Sequence, residues 1–384
     1  MDDVIRKLMK ILDEAVENAV PDHLIGEERE EMKQTAAVGI LERLTEAAAG
    51  RYGLSDIVDG YDTLEAMLEG ENSFSELIGL AHDYGIESAG RNQTELAEDL
   101  AGIMLKPAVM REAFSDLHDE EIVLVTEMAE EGGIEMPDNV FDMIEFSPFP
   151  REYFHMSDFG ILQMTRDAAE VYKEIDTWNF QEERKKRAWF RDCKTAFIYY
   201  YGMAPVFVFA DLFNRSPSYH TDEAGVLKML EQYDPEEDLV LDDGKLIHEE
   251  LYRAKYYREY EKTLENEPYV IPSYDEIREI GMYRYPYSDE DWQEFREVVA
   301  RSQGMMDTEV VHALFLRMID DMPADKVEDY LAESFGCEID PEELPEILYL
   351  YTRLSGNTRK IALRGRKPEG EEKPDLLDIP HFRS

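Results

Sequence analysis

Residues 73–107 read SFSELIGLAHDYGIESAGRNQTELAEDLAGIMLKP. Two helix starts stand within this one stretch. Ser73 with Glu76 three residues on is the pattern of a capping box. The hydroxyl accepts from the third helical N–H, and the glutamate reaches back to the cap's own N–H. Leu77, Leu80 and Ala81 then recur on one helical face. Gly85 stands where that helix should stop, since glycine enters left-handed backbone without steric cost. Asn92 and Glu95 repeat the box, and Leu96, Leu100 and Ile103 repeat the stripe. Pro107 is expected to close the unit. The stretch predicts helix, extended loop, helix.

The helical period continues on both sides. Toward the N-terminus, Val4, Leu8, Ile11, Ala15 and Ala19 form one stripe, and an Ala-rich helix is expected over 27–50. Toward the C-terminus, helices are expected at 119–131, ending at Gly132-Gly133, and at 137–145. Ser147-Pro148-Phe149-Pro150 breaks the chain, and 159–164 suits a short strand. The spacing next predicts a helix over 182–201 stopped by Gly202 and a second over 205–213 starting at its proline. A third over 222–232 is capped by Thr221. Then 239–241 and 246–248 flank Asp242-Asp243-Gly244, a hairpin signal. The last third is helical. Ser273 with Glu276 forms another capping box, Ser288 and Asp307 are expected caps, and Asp340-Pro341-Glu342-Glu343 reads as cap, proline and acidic first turn. Residues 369–384 read as a polar, disordered tail.

Composition bounds the class. Of 384 residues 43% are hydrophobic and 11% aromatic, enough to build cores and too much for an acidic disordered tail. Two cysteines, Cys193 and Cys337, lack any zinc-ligand partner and predict a reducing compartment. The start lacks a basic region followed by an apolar run, and no apolar stretch reaches the length of a membrane span. A cytoplasmic protein without membrane contact is expected. The formal net charge is −47. It serves solubility, suits high salt, or presents an acidic face to basic proteins in imitation of a nucleic-acid backbone. On average such a body repels phosphate, so any nucleic-acid contact must be local.

Two local sites break the acidity. Residues 347–368 hold no carboxylate but carry Arg353, Arg359, Lys360, Arg364, Arg366 and Lys367. With Ser355, Asn357 and Thr358 these cations suit a docking loop able to grip phosphate. Equally, cations after a helix answer its C-terminal carbonyls, with Gly356 as the C-cap. The second site is Arg184, Lys185, Arg187 and Arg191 with Trp189 interleaved. Aromatics among cations stack bases, but acidic neighbours also suit a solvated helix face with Trp189 in the core. The eight histidines are scattered, and His118-Asp119-Glu120-Glu121 reads as a helix start. No metal-ligand spacing, Gly-rich phosphate loop or nucleophile motif occurs. No catalytic residue, metal or cofactor is expected.

Three resemblances add to this. Residues 73–105 look like a SAP or Rho N-terminal module, a fold that often binds nucleic acid, yet Arg91 faces Glu76, Asp83, Glu87, Glu95, Glu98 and Asp99. Residues 181–252, three helices and a hairpin, resemble a winged helix. Its groove-entering helix carries Asp222, Glu223 and Glu231 against Lys228, the wrong charge for DNA. Finally, Tyr201-Gly202-Met203-Ala204-Pro205, Glu267-Pro268-Tyr269-Val270-Ile271-Pro272-Ser273 and Gly356-Asn357-Thr358-Arg359 followed by Gly365-Arg366-Lys367-Pro368 resemble a family of bacterial intracellular proteins. Its members often carry a Rho N-terminal-like region and end in a SEC-C zinc motif. Here that motif's cysteines are absent, Gly356 stands where the family has Asn, Ile361 where an aromatic residue is common, and the family's Glu-Leu after the proline is missing. The zinc does not carry over, and the resemblance implies no catalysis.

The sequence thus predicts a mainly α, multi-module protein. The divisions are an N-terminal helical region at 1–70, the SAP/Rho-N-like module at 71–146, the winged-helix-like module at 147–262, a helical module at 263–364 and a tail at 365–384. The function expected is a non-catalytic interaction or regulatory protein, its partner a protein. The alternatives are a nucleic-acid-associated regulator using the basic patches and an acidic decoy of a DNA-binding protein.

Overall fold

The computed structural model describes residues 61–135, 144–157, 160–234, 238–255, 257–264, 268–303, 308–336 and 339–368. The expected helices before residue 61, most of the one at 137–145, Asp307, Cys337 and the tail lie outside them. The protein is mainly helical with two small three-stranded antiparallel sheets. Its described residues form two compact units interleaved along the chain, 61–110, 123–135 and 151–174 in the first, 111–122, 144–150 and 175–368 in the second. No helix among the described residues is long and apolar enough to cross a membrane.

In the first unit, α1 (Leu64–Glu71), α2 (Phe74–Asp83) and α3 (Gln93–Met104) form as their caps dictate. Both expected capping boxes close. Ser73 and Asn92 accept from the N–H groups of Glu76 and Glu95, and each glutamate returns a bond to its cap. Leu64, Leu68, Leu77, Ala81, Leu96, Leu100 and Met104 are buried between the helices. At about 1.5–3 kcal/mol per buried large side chain, this packing rather than propensity holds three short helices. Pro107 does not close the unit. It opens α4 (Pro107–Ala113), where a missing N–H costs nothing in a first turn. The helix α5 (Asp119–Glu131) stops at Gly132, whose φ is +82°. The strands β1 (Ile134–Glu135), β2 (Phe154–Met156) and β3 (Ile161–Met164) pair in the order β1–β3–β2, with Leu162 opposite Ile134 and Met156. The helix α6 (Arg166–Ile175) follows. Its Asp167 carboxylate accepts from the Leu64 N–H at 3.0 Å and caps α1 across the unit.

The second unit is organised on α7 (Trp178–Tyr200), which starts four residues before its expected position because Thr177 caps it. Phe180, Trp189, Phe190, Cys193, Phe197 and Tyr200 are buried along it. Gly202, at φ +61°, turns the chain into β4 (Met203–Pro205), a strand too short to leave a period in the sequence. Then come α8 (Val206–Phe213) and α9 (Glu223–Tyr233). The cap of α9 is Asp222, which accepts from the Gly225 N–H at 2.9 Å, not Thr221, whose hydroxyl turns back to the Asp222 carbonyl. The hairpin β5 (Leu239–Asp242) and β6 (Lys245–His248) turns on Asp243 and Gly244, both at positive φ as a two-residue hairpin requires. The sheet order is β4–β6–β5.

The helices α10 (Glu249–Ala254), α11 (Tyr257–Leu264), α12 (Tyr274–Tyr283), α13 (Glu290–Gln303), α14 (Thr308–Ile319), α15 (Val327–Phe335) and α16 (Leu344–Asn357) complete the unit. Three expected ends move. Asp289 caps α13, accepting from the N–H groups of Asp291 and Trp292, because Ser288 is taken by Glu279. Residues 341–343 form a turn before α16, since the Asp340 carbonyl accepts from the N–H groups of both Glu343 and Leu344. Gly356 lies inside α16. The helix ends on Thr358 at φ −86°, whose hydroxyl donates to the Leu354 carbonyl, so no left-handed C-cap forms. One apolar cluster runs through α7, α8, α9 and α12–α16, and α7 lies along α12 within it.

Candidate functional site

The three segments with the family-like pattern meet in the second unit. The Tyr201 hydroxyl donates to the Val270 carbonyl at 2.6 Å, and the Val270 N–H donates to the Arg364 carbonyl at 3.1 Å. Arg364 and Gly365 are both left-handed, which lets the Lys360 N–H reach the Arg366 carbonyl and close a tight loop. Gly365 is required there. A Cβ would lie 2.9 Å from both the Tyr201 ring and the Val270 carbonyl oxygen.

Arg359 sits at the centre and is 5% exposed. Its Nη1 donates to the Gly365 carbonyl at 2.6 Å, and its Nη2 to both oxygens of Glu276 at 3.1 and 2.9 Å. Lys367 Nζ adds a second cation 3.4 Å from Glu276. Burial pushes the Glu276 pKa up, but Arg359, the Ser273 N–H and Lys367 overcome it and hold the carboxyl at about 2. Lys360 is 1% exposed. Its Nζ donates to the Met318 carbonyl and to the Ser355 hydroxyl, with Asp321 at 3.4 Å, and burial lowers its pKa. Thr358 is buried, Asn357 is exposed, and Arg366 is half-buried. Arg364 lies 4.4 Å over the Tyr269 ring. A cavity of about 400 Å³ opens beside the junction, lined by Tyr200, Glu276, Glu279, Trp292, Asn357 and Arg359 among others. Two cations of the expected docking loop, Arg359 and Lys360, are therefore matched inside the fold.

The second basic face divides. Arg184 is buried, with Nε donating to Gln181, Nη1 to the Leu117 carbonyl and Nη2 to Asp119. Arg187 pairs with Asp116 and Glu112, both at 2.7 Å. Trp189 is in the core, its Nε1 donating to the Phe213 carbonyl at 2.8 Å. Arg191 Nη2 lies 2.8 Å from His118 Nδ1. Lys185 forms no ion pair or hydrogen bond among the described residues. Together with Arg184 it lines a second, smaller cavity of about 220 Å³.

No family model, no curated protein and no solved structure matches the chain. Among the described residues no group of three or more His, Cys, Asp and Glu is placed to hold a metal ion. The Cys193 thiol is fully buried, and burial followed by the Asp192 charge raises its pKa.

His118, which the sequence places at a helix start, also meets partners far along the chain. Its Nε2 is 2.8 Å from Asp192 and its Nδ1 3.2 Å from Glu121, with Arg191 beside it and Ser147 donating to Glu121. Burial opposes charging the imidazole and Arg191 adds to that, but the two carboxylates outweigh both, and the pKa is raised above 6.5. A raised folded-state pKa stabilises the fold fully below the ordinary histidine value and is lost as pH rises through the folded value. The urea midpoint of the second unit is thus expected to fall as pH is raised above about 6.5. In His118→Gln that slope flattens.

Proposed function

We propose that the chain is a non-catalytic interaction protein whose second unit contains, over residues 181–252, a winged-helix-like module turned to protein binding. The order α7, β4, α8, α9, β5, β6, with β6 central in its sheet, supports the winged-helix reading. In that layout α9 is the helix that would enter a DNA groove. The observation that carries the proposal is its charge. Asp222, Glu223 and Glu231 are exposed there against Lys228, and Asp243 is exposed at the hairpin tip. Phosphate is repelled by such a surface, whereas Lys- and Arg-rich protein is attracted. Leu241, half exposed on β5, supplies an apolar anchor beside the carboxylates. The pairing of α2 and α3 suits a SAP-like module with equally acidic faces, read here as structural or protein-binding. The meeting of the three family-like segments supports kinship with the SEC-C-associated family.

The test compares a Lys/Arg-rich peptide with duplex DNA, read by fluorescence anisotropy on the full chain. The peptide is expected to bind with steep salt dependence, and Asp222→Lys/Glu231→Lys to weaken it about tenfold. Glu328→Lys/Glu333→Lys, on the exposed side of α15, should leave it unchanged. Binding of DNA by the wild-type chain, failure of the peptide to bind, or equal loss in both pairs would overturn the assignment.

A further inference from the structure

We infer that the cavity between α7, α12 and the α8–α9 loop is a binding site for a small phosphoryl anion. It takes no residue from α9 and extends beyond the interaction function. Its lining includes Lys185, Ser218, Tyr219, Tyr274 and Arg278.

The charge balance points to an anion. Two carboxylates line the cavity: Asp119 pairs with Arg184, and Asp192 pairs with His118 and also acts on Arg278. Lys185 remains, with no ion pair or hydrogen bond among the described residues. Arg278 uses one nitrogen, Nη2, for Glu120, and its Nε and Nη1 make no hydrogen bond among the described residues.

The donors also suit a tetrahedral group. The hydroxyls of Ser218, Tyr219 and Tyr274 make no hydrogen bond among the described residues. Ser216 is buried, and its Oγ accepts from the N–H groups of Ser218 and Tyr219 at 3.2 and 3.3 Å, which fixes the turn carrying both hydroxyls. On the opposite wall the Trp189 and Tyr274 rings pack 4.9 Å apart. Buried Arg184 anchors the floor through the Leu117 carbonyl. Donors thus come from α7, α12 and the loop at once. A carboxylate offers two oxygens in one plane, whereas a phosphoryl group offers three in three directions. The volume of about 220 Å³ is below the roughly 300–1,000 Å³ of sites for larger ligands. The ligand is therefore a phosphoryl dianion, either free phosphate or the phosphate of a small monoester.

Calorimetry on the full chain in chloride buffer, with inorganic phosphate and glycerol phosphate titrated separately, distinguishes the two sources. One probe at least is expected to bind with one-to-one stoichiometry. Lys185→Gln should weaken binding about tenfold or more, since a charge-assisted bond is lost, and Ser218→Ala several-fold. Lys185 has no partner to lose, so its variant should melt like wild type. Lys186→Gln, one residue away and outside the lining, should bind as wild type does. Absence of binding by either probe at millimolar concentration would overturn the inference, as would equal affinity of wild type and Lys185→Gln.

Discussion

Gly281→Ala is expected to destabilise the second unit by about 3 kcal/mol or more. On helix propensity alone the change should help, by roughly 1 kcal/mol in a helix interior. Packing reverses the sign. Gly281 lies in α12 where it meets α7, and a Cβ would fall 2.0 Å from Asp192 Oδ1, 2.3 Å from its Cγ and 2.6 Å from its Cβ. The clash reaches the root of the side chain, so a rotamer change does not relieve it. The carboxylate is also pinned by His118 Nε2 at 2.8 Å. The helices must separate along a face that buries Trp189 and Ile277, which also loosens Asp192 from the buried His118. All three tryptophans, Trp178, Trp189 and Trp292, belong to the second unit, so their fluorescence in urea reads that unit alone. Gly102→Ala in α3 is the control. No atom lies within 4 Å of its Cβ position, and a gain of about 0.5–1 kcal/mol is expected in a melt followed by circular dichroism.

The contrast between these glycines shows what a single sequence encodes. Local chemistry was legible. The boxes at Ser73, Asn92 and Ser273 each involve two side chains three residues apart, and each formed as read. Asp243-Gly244 supplied the positive φ that its hairpin needs. Where two local readings competed, a distant partner decided. Ser288 was available as a cap until Glu279, nine positions back in α12, took both its N–H and its hydroxyl, and Asp289 replaced it. Gly356 lost the C-cap role because Thr358 answered a carbonyl with its hydroxyl. The site was legible as a set of cations and illegible as an arrangement. Nothing local distinguishes Arg359, whose acceptor Glu276 lies 83 positions away, from Lys185, which has none among the described residues. His118 does stand at the start of α5, but its pairing with Asp192, 74 positions away, is not visible locally. A cation's availability depends on tertiary pairing, and in a chain this acidic most cations find a carboxylate.

Arg359→Met should therefore act through folding. The side chain is 5% exposed and bridges the Gly365 carbonyl and Glu276. Methionine keeps much of the apolar stem but leaves a partly buried carboxylate and a buried carbonyl without their donor. Breaking one side of such a pair costs about 3–5 kcal/mol. The acid limb of the stability curve separates this cause from lost volume. Glu276 is held at about 2 against an ordinary 4.5. A depressed folded-state pKa contributes stability above the unfolded value and loses it as pH falls through the folded one. In wild type about 3 kcal/mol should disappear between roughly pH 4.5 and 2. In Arg359→Met the Glu276 pKa rises toward 4.5, and most of that slope should vanish. A variant that lost only volume would shift the whole curve and keep the slope. Lys367→Ala should cost no more than about 1 kcal/mol, because that amine is a third exposed and 3.4 Å from the carboxylate. Arg359→Lys should not rescue. One ammonium on a flexible stem cannot reproduce a planar fork that reaches the Gly365 carbonyl and both Glu276 oxygens together. If lysine did restore stability, charge alone would hold the junction, and the bidentate geometry would be incidental.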